Sequence, residues 1–314
     1  MLYLGLMAEA IALFYLLGNF KDRFFFPARK SEEVSKHLTE IARNRFREIV
    51  TGEDEDINLA EAALLIAAEE YSRLNVSDYL EKLDRFGDLA RERAGEARDD
   101  YDTINAINNT LFEDLGFRGN RKNYYDPRNS FLNEVIDLRL GLPITLTVVY
   151  IEVARRIGFS VQGVGMPGHF IAMHSREGED IFIDPFNEGK LLGELGCAEL
   201  LNQTTGGQTQ LDPSHLAPVT NKQILSRMLA NLLGIYAGSN DYHRALAATE
   251  RILLITPDSP PHIRDRGLLL AATGKTQSGL DELERYLDIL PEATDAEYVR
   301  EQMKKIRQSR ARLN

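Results

Sequence analysis

GLPITLTVVYIEVARRIGFSVQGVGMPGHFIAMHSREGEDIFIDPF, residues 141–186, reads as one helix followed by strands that carry a His and then an Asp. From Pro143 to Ile157 the residues Ile144, Val148, Ile151, Val153 and Ala154 make the helix apolar nearly all round, which predicts a place at the centre of a core. Ser160–Gly165 and Phe170–His174 predict strands, and a Glu177-Gly178-Glu179 turn leads to another over Asp180–Asp184. A thiol site is assembled in this order. A Cys at a helix N-terminus is held as thiolate by the dipole and a His, and an acid on the next strand orients the imidazole. Here His169 lies in Gly168-His169-Phe170 and Asp184 in Ile183-Asp184-Pro185-Phe186, but the helix opens Gly141-Leu142-Pro143, without sulfur. Pro143 suits a first helical turn, where its missing N–H costs no bond, and it offers no chemistry.

Outward from this stretch, 314 residues with 43% hydrophobic content allow one large domain or two ordinary ones around a well-buried core. The 48 acidic against 37 basic residues give a net charge of −11, a field that repels nucleic acid. The basic run Lys304, Lys305, Arg307, Arg310 and Arg312 ends a helix, where cations suit the dipole, and reads as a solvated face. The single cysteine, Cys197, excludes an intramolecular disulfide, fits a reducing compartment, and reads as a small buried hydrophobe. His37, His174, His215, His243 and His262 lack metal-ligand spacing, so neither metal nor cofactor is expected. No Lys-Ser/Thr follows Gly163, Gly165 and Gly168, which argues against a phosphate loop.

Residues 1–27 form an apolar N-terminal segment. Residues 1–20 approach the length of a membrane span, with Lys21, Arg23, Arg29 and Lys30 following, yet Glu9 would sit near the middle of the bilayer. A docked amphipathic helix or a start-site extension competes with a membrane anchor, so the expected location is cytoplasmic with membrane association through 1–20 as the alternative. A helical lobe follows over 28–118. Ser31 is a candidate N-cap, Asn58 or Asp56 caps a helix over Ile57–Tyr71, and further helices cover Val76–Ala94 and Tyr101–Glu113. The acidic Gly52–Asp56 reads as a solvated turn favouring the next helix. Asn123–Ser130 is loop-like, and Tyr124, Tyr125 and Arg128 are placed at a pocket mouth. From 218 the pattern is helical and repeats, because Ala245 to Gly279, Leu253 to Leu287 and Pro257 to Pro291 are each offset by 34, the tetratricopeptide period. Two such repeats fall short of a free-standing solenoid and should dock on the preceding domain or on a partner.

Asn129-Ser130-Phe131-Leu132-Asn133, Gly141–Leu146, Gly163–Phe170 and Ile183–Phe186, followed by tetratricopeptide helices, resemble the SirB-type family of bacterial transglutaminase-like proteins over roughly residues 35–295. The resemblance implies an α+β, mostly helical fold: a helical N-terminal lobe, a transglutaminase-like, papain-like core over 119–217, and repeats over 218–314. In the transglutaminase-like pattern a Gly-x-Cys precedes a helix ending Leu-x-Arg-x-x-Gly. Counted back from Gly158, the Cys column falls on Pro143.

The pair His169 and Asp184 therefore has two readings. It is the remnant of an enzymatic ancestor beside a pocket of Asn129, Pro143, Gly168 and Tyr125, or it is half of a noncanonical hydrolase or acyltransferase with Thr145 or Thr147 as nucleophile. Against the second, Thr145 lies two residues inside the helix, where its hydroxyl can bond a backbone carbonyl. The favoured expectation is a non-catalytic adaptor that receives a protein or peptide, with any small-molecule ligand unspecified.

Overall fold

The computed structural model describes residues 28–95, 97–176 and 178–313. The apolar segment 1–27, with its membrane reading, and Glu177 of the predicted turn lie outside them.

The described residues begin with helix α1, Ala28–Val50, so Ser31 lies inside a helix and not at its N-cap. Helix α2, Leu59–Ala68, buries every residue but Glu61, and Asn58 caps it by accepting from Glu61 N at 3.1 Å. Helix α3 spans Val76–Ala94 as its apolar stripe predicts, and it buries Leu83, Phe86, Gly87 and Ala90. Helix α4, Asp100–Asn108, runs into a π turn over Asn109–Asp114. A two-residue strand β1, Arg118–Gly119, pairs in parallel with β2, Leu140–Gly141. Between them the turn-rich stretch contains a 3-10 turn, Pro127–Ser130, and the unanticipated helix α5, Leu132–Leu138.

Helix α6, Pro143–Arg156, occupies the centre, with every residue from Pro143 to Tyr150 buried. Even Glu152 is buried, bonded by Arg155 at 2.8 Å and Arg156 at 2.5 Å. An antiparallel sheet lies against it, with β3 Gln162–Val164, β4 Ile171–Arg176, β5 Glu179–Asp184, β6 Lys190–Leu192 and β7 Pro218–Val219 in the order β6-β5-β4-β3-β7. Strand alternation divides two cores. Phe170, Ala172, Ile181 and Ile183 join the α6 side. Ile171, Met173 and Phe182 join Cys197 and Leu201 of helix α7, Glu194–Thr205. Cys197 is fully buried there.

The C-terminal helices are α8 Asn221–Gly238, α9 Tyr242–Ile255, α10 Pro260–Ala272, α11 Thr276–Ile289 and α12 Ala296–Leu313. Pro257 and Pro291 fall just past α9 and α11, the second helices of two hairpins. Gly279 permits close approach of α10 and α11, since a Cβ there would lie 2.7 Å from the Gly267 carbonyl oxygen. The hairpin α8–α9 is built into the main core, whose buried side chains run from Ala42 to Leu270. Arg251, itself buried, donates from Nη1 to the Ile66 carbonyl at 2.9 Å, and Arg43 joins Glu69 to Glu250 at 3.0 Å each. The acidic stretch corrects one expectation: Asp54 accepts from Asn221 N at 2.9 Å and Lys222 N at 2.8 Å, so it caps α8 instead of the helix next in sequence.

Candidate functional site

His169 closes the turn Met166–His169 just before β4, and its N–H donates to the Met166 carbonyl at 3.2 Å. Two carbonyls of this turn are held from helix α8. Arg227 Nη2 donates to Met166 O at 2.8 Å and His169 O at 2.7 Å, with its guanidinium 5.2 Å over the Phe170 ring. Burial lowers the Arg227 pKa, with the nearby Tyr124 hydroxyl opposing. Arg227 has no signature in sequence, because a cation on an amphipathic helix looks like part of a solvated face.

The contact expected between the site residues is present, with His169 Nε2 3.0 Å from Asp184 Oδ1 and both side chains buried. Its geometry differs from facing strand partners. The register pairs Ala172 with Ile183, so His169 and Asp184 meet diagonally from the ends of β4 and β5. Asp184 also caps the 3-10 turn Pro185–Asn187, with Oδ1 accepting from Phe186 N at 3.1 Å and Asn187 N at 3.3 Å, and Oδ2 from Asn187 Nδ2 at 2.5 Å. Burial alone would raise its pKa. The bonds from His169 and Asn187 outweigh that and hold it below the usual carboxylate value. An ionised carboxylate on Nε2 makes Nε2 the donor, so in the neutral ring Nδ1 carries the lone pair. Among the described residues Nδ1 has no partner.

Pro143 is buried at the first turn of α6, the helix that packs on β3 and β4. Thr145 is not brought to the imidazole. Its hydroxyl accepts from Leu142 N at 3.0 Å and donates to Asn129 O at 2.8 Å, which closes the helix N-terminus in place of the leading hydroxyl of a capping box. Thr147 reaches only the Phe170 carbonyl, at 3.4 Å. Asn129 braces the preceding loop, donating to Asn123 O at 2.7 Å and Tyr124 O at 3.1 Å. Tyr124 packs edge-on against Phe186, while Tyr125 is 79% exposed. Gly168 belongs to the His169 turn. The Cys197 thiol is pushed up to about 11, by burial first and then by Asp184 and Glu194, which leaves it protonated and unreactive at neutral pH.

Asn129, Pro143, Gly168 and Tyr125 thus hold separate places: Asn129 braces a loop, Pro143 opens α6, Gly168 belongs to the His169 turn and Tyr125 faces outward. A recess next to Asp184, of about 370 Å³, is lined by Arg118, Gly119, Arg121, Phe186, Asn187 and Glu188. A larger cleft of about 550 Å³, among Glu70, Tyr71, Asn133 and Glu134, touches neither His169 nor Asp184. No group of three or more His, Cys, Asp or Glu among the described residues is placed to hold a metal ion. The described helices include none long and apolar enough to cross a membrane.

A buried helix meeting a His and an Asp across antiparallel strands, with helical hairpins closing behind, defines a transglutaminase-like domain joined to tetratricopeptide repeats. Family models match in that order, the transglutaminase-like superfamily over residues 77–230 and the tetratricopeptide repeat over 232–304. The chain belongs to the UPF0162 family of bacterial, SirB-type proteins. It is 37% identical over 255 residues to the UPF0162 protein of Xylella fastidiosa strain Temecula1, covering 80% of this chain and 91% of the relative. The Vibrio cholerae UPF0162 protein is 29% identical over 207 residues, 66% of this chain and 76% of its own. F-box only protein 21 of Mus musculus is 32% identical over 140 residues, covering 42% of this chain and 21% of that protein. No solved structure matches. Tetratricopeptide repeats generally mediate protein–protein interaction.

Proposed function

We propose that this chain is a non-catalytic transglutaminase-like protein that works as an adaptor, with its repeat helices receiving a protein or peptide and the His169–Asp184 pair kept as part of a ligand recess. The observation that carries this reading is Pro143 in the first turn of α6, where the thiol of a transglutaminase-like site would stand. Neither available replacement has the needed chemistry. The Thr145 hydroxyl is committed to backbone groups, and Cys197 is sealed in the smaller core. The location argued for is the cytoplasm, on the single buried cysteine and the lack of any disulfide partner.

The test is an unbiased pull-down with the full chain and with a variant whose exposed repeat residues are changed, Tyr298→Ala with Ile289→Ser. Specific partners retained by the wild type and lost by the variant support recognition through the repeats; identical recoveries sink that assignment. Thiol-independent turnover in the wild type that vanished with Thr145→Ala would overturn the non-catalytic reading.

A further inference from the structure

Four side chains form a continuous hydrogen-bonded line from the surface to the buried imidazole. Arg121 Nη2 donates to Asn187 Oδ1, Asn187 Nδ2 donates to Asp184 Oδ2 at 2.5 Å, and Asp184 Oδ1 meets His169 Nε2 at 3.0 Å. The outer end opens into the recess beside Asn187. Its charges are two guanidinium groups and one carboxylate, and Glu188 is already paired with Arg118 at 3.2 Å. Arg118 also donates to the Phe112 and Phe117 carbonyls, which ties it to the wall. Arg121 is exposed and uses one of its five N–H donors on Asn187. Its guanidinium lies 5.0 Å over the Phe186 ring. Gly119 lets the β1 backbone close on that ring, since a Cβ would stand 2.6 Å from it and 2.8 Å from the Phe186 carbonyl oxygen.

We propose that this recess is a carboxylate-binding subsite, in which Arg121, held over the buried Phe186 ring, grips the carboxylate of a ligand. The guanidinium fork matches a carboxylate in two parallel bonds. The lining sets two guanidinium groups against one carboxylate, and with Glu188 paired to Arg118 the Arg121 guanidinium is left to meet an anion. Gripping a ligand turns Arg121 from Asn187, and the change passes through Asn187 and Asp184 to the His169 ring. The subsite deepens the recess half of the function proposed above and rests on it.

A free acid and a peptide C-terminus share this chemistry, so the probes are N-acetyl-phenylalanine, the peptide Ala-Ala-Phe with a free carboxylate, and N-acetyl-phenylalanine amide. Calorimetric titration of the full chain should show saturable binding of at least one acid, with the amide weaker by about tenfold, roughly 1.4 kcal/mol. Tighter binding of the peptide assigns a protein C-terminus, and tighter binding of the single residue a free acid. Arg121→Gln, checked by its thermal melt, should weaken the acids by about tenfold. The His169 imidazole resonances should move on saturation in the wild type and stay fixed in Asn187→Ala. Equal affinity for acid and amide, wild-type affinity in Arg121→Gln, or no saturable binding of either acid overturns the subsite. Partner capture that persists through those outcomes would leave the adaptor reading standing, so the two failures are distinguishable.

Discussion

Position 143 decides what chemistry the site can hold. The structure supplies a helix N-terminus and an imidazole whose Nδ1 is left by the Asp184 bond, but Pro143 has no nucleophile to offer. Pro143→Cys should create a thiol that alkylates faster than Cys197 at neutral pH, and adding His169→Ala should slow it. An introduced thiol of ordinary, His169-independent reactivity would reject the placement of the thiol column at this residue. Thr145→Val tests the competing nucleophile. Removing a hydroxyl that closes the helix should cost about 1 kcal/mol in urea unfolding and alter no activity. Asp184 makes the sharpest pH statement. Its folded pKa is depressed, so its stabilisation is present above the ordinary carboxylate value of about 3.9 and is lost as pH falls through the lower folded value. Asp184→Asn should unfold more easily than wild type by about 2 kcal/mol at pH 7, and the gap should close below that range. A gap independent of pH would mean the carboxylate charge contributes nothing.

Among the elements, those legible in the sequence were the ones whose own side chains explain them. Val76–Ala94 carries its apolar stripe, and Pro143–Arg156 is apolar on almost every face, so periodicity places both within a residue or so. Helix α5 hid in a turn-rich stretch because only two of its turns form, and its burial depends on neighbours far along the chain. Strands β6 and β7 are three and two residues long, too short for alternation to register. The site divides the same way. His169 and Asp184 were visible from their setting, whereas Arg227, Arg121 and Asn187 gain their roles only when α8 and β1 are brought to the sheet. Asp54 is another long-range case, its carboxylate capping a helix 167 residues away. At the repeat hairpin the spacing itself makes the prediction. Gly279→Ala places a Cβ against the Gly267 carbonyl and the Ala271 nitrogen at 2.8 Å, and should lower stability by about 1–3 kcal/mol in denaturant unfolding.

For the molecule as a whole, the core continuous from Ala42 to Leu270 means that a chain ending at residue 217 loses Leu225, Met228, Leu229 and Leu232 from its interior. Such a chain should be recovered insoluble or bind a hydrophobic dye, which circular dichroism and dye fluorescence would register. Cutting there would report on stability and not on recognition. The bond from Arg251 to the Ile66 carbonyl reaches across 185 residues and carries a consequence for biogenesis. During synthesis α2 emerges long before α8, which packs on it, and α9, whose Arg251 bonds its Ile66 carbonyl, have been made. At translation rates of roughly 5–20 residues per second, that helix waits on the order of ten seconds or more for its partners. The newborn N-terminal helices therefore stay incompletely covered, and final closure of the fold belongs to the moment the α8–α9 hairpin leaves the exit tunnel.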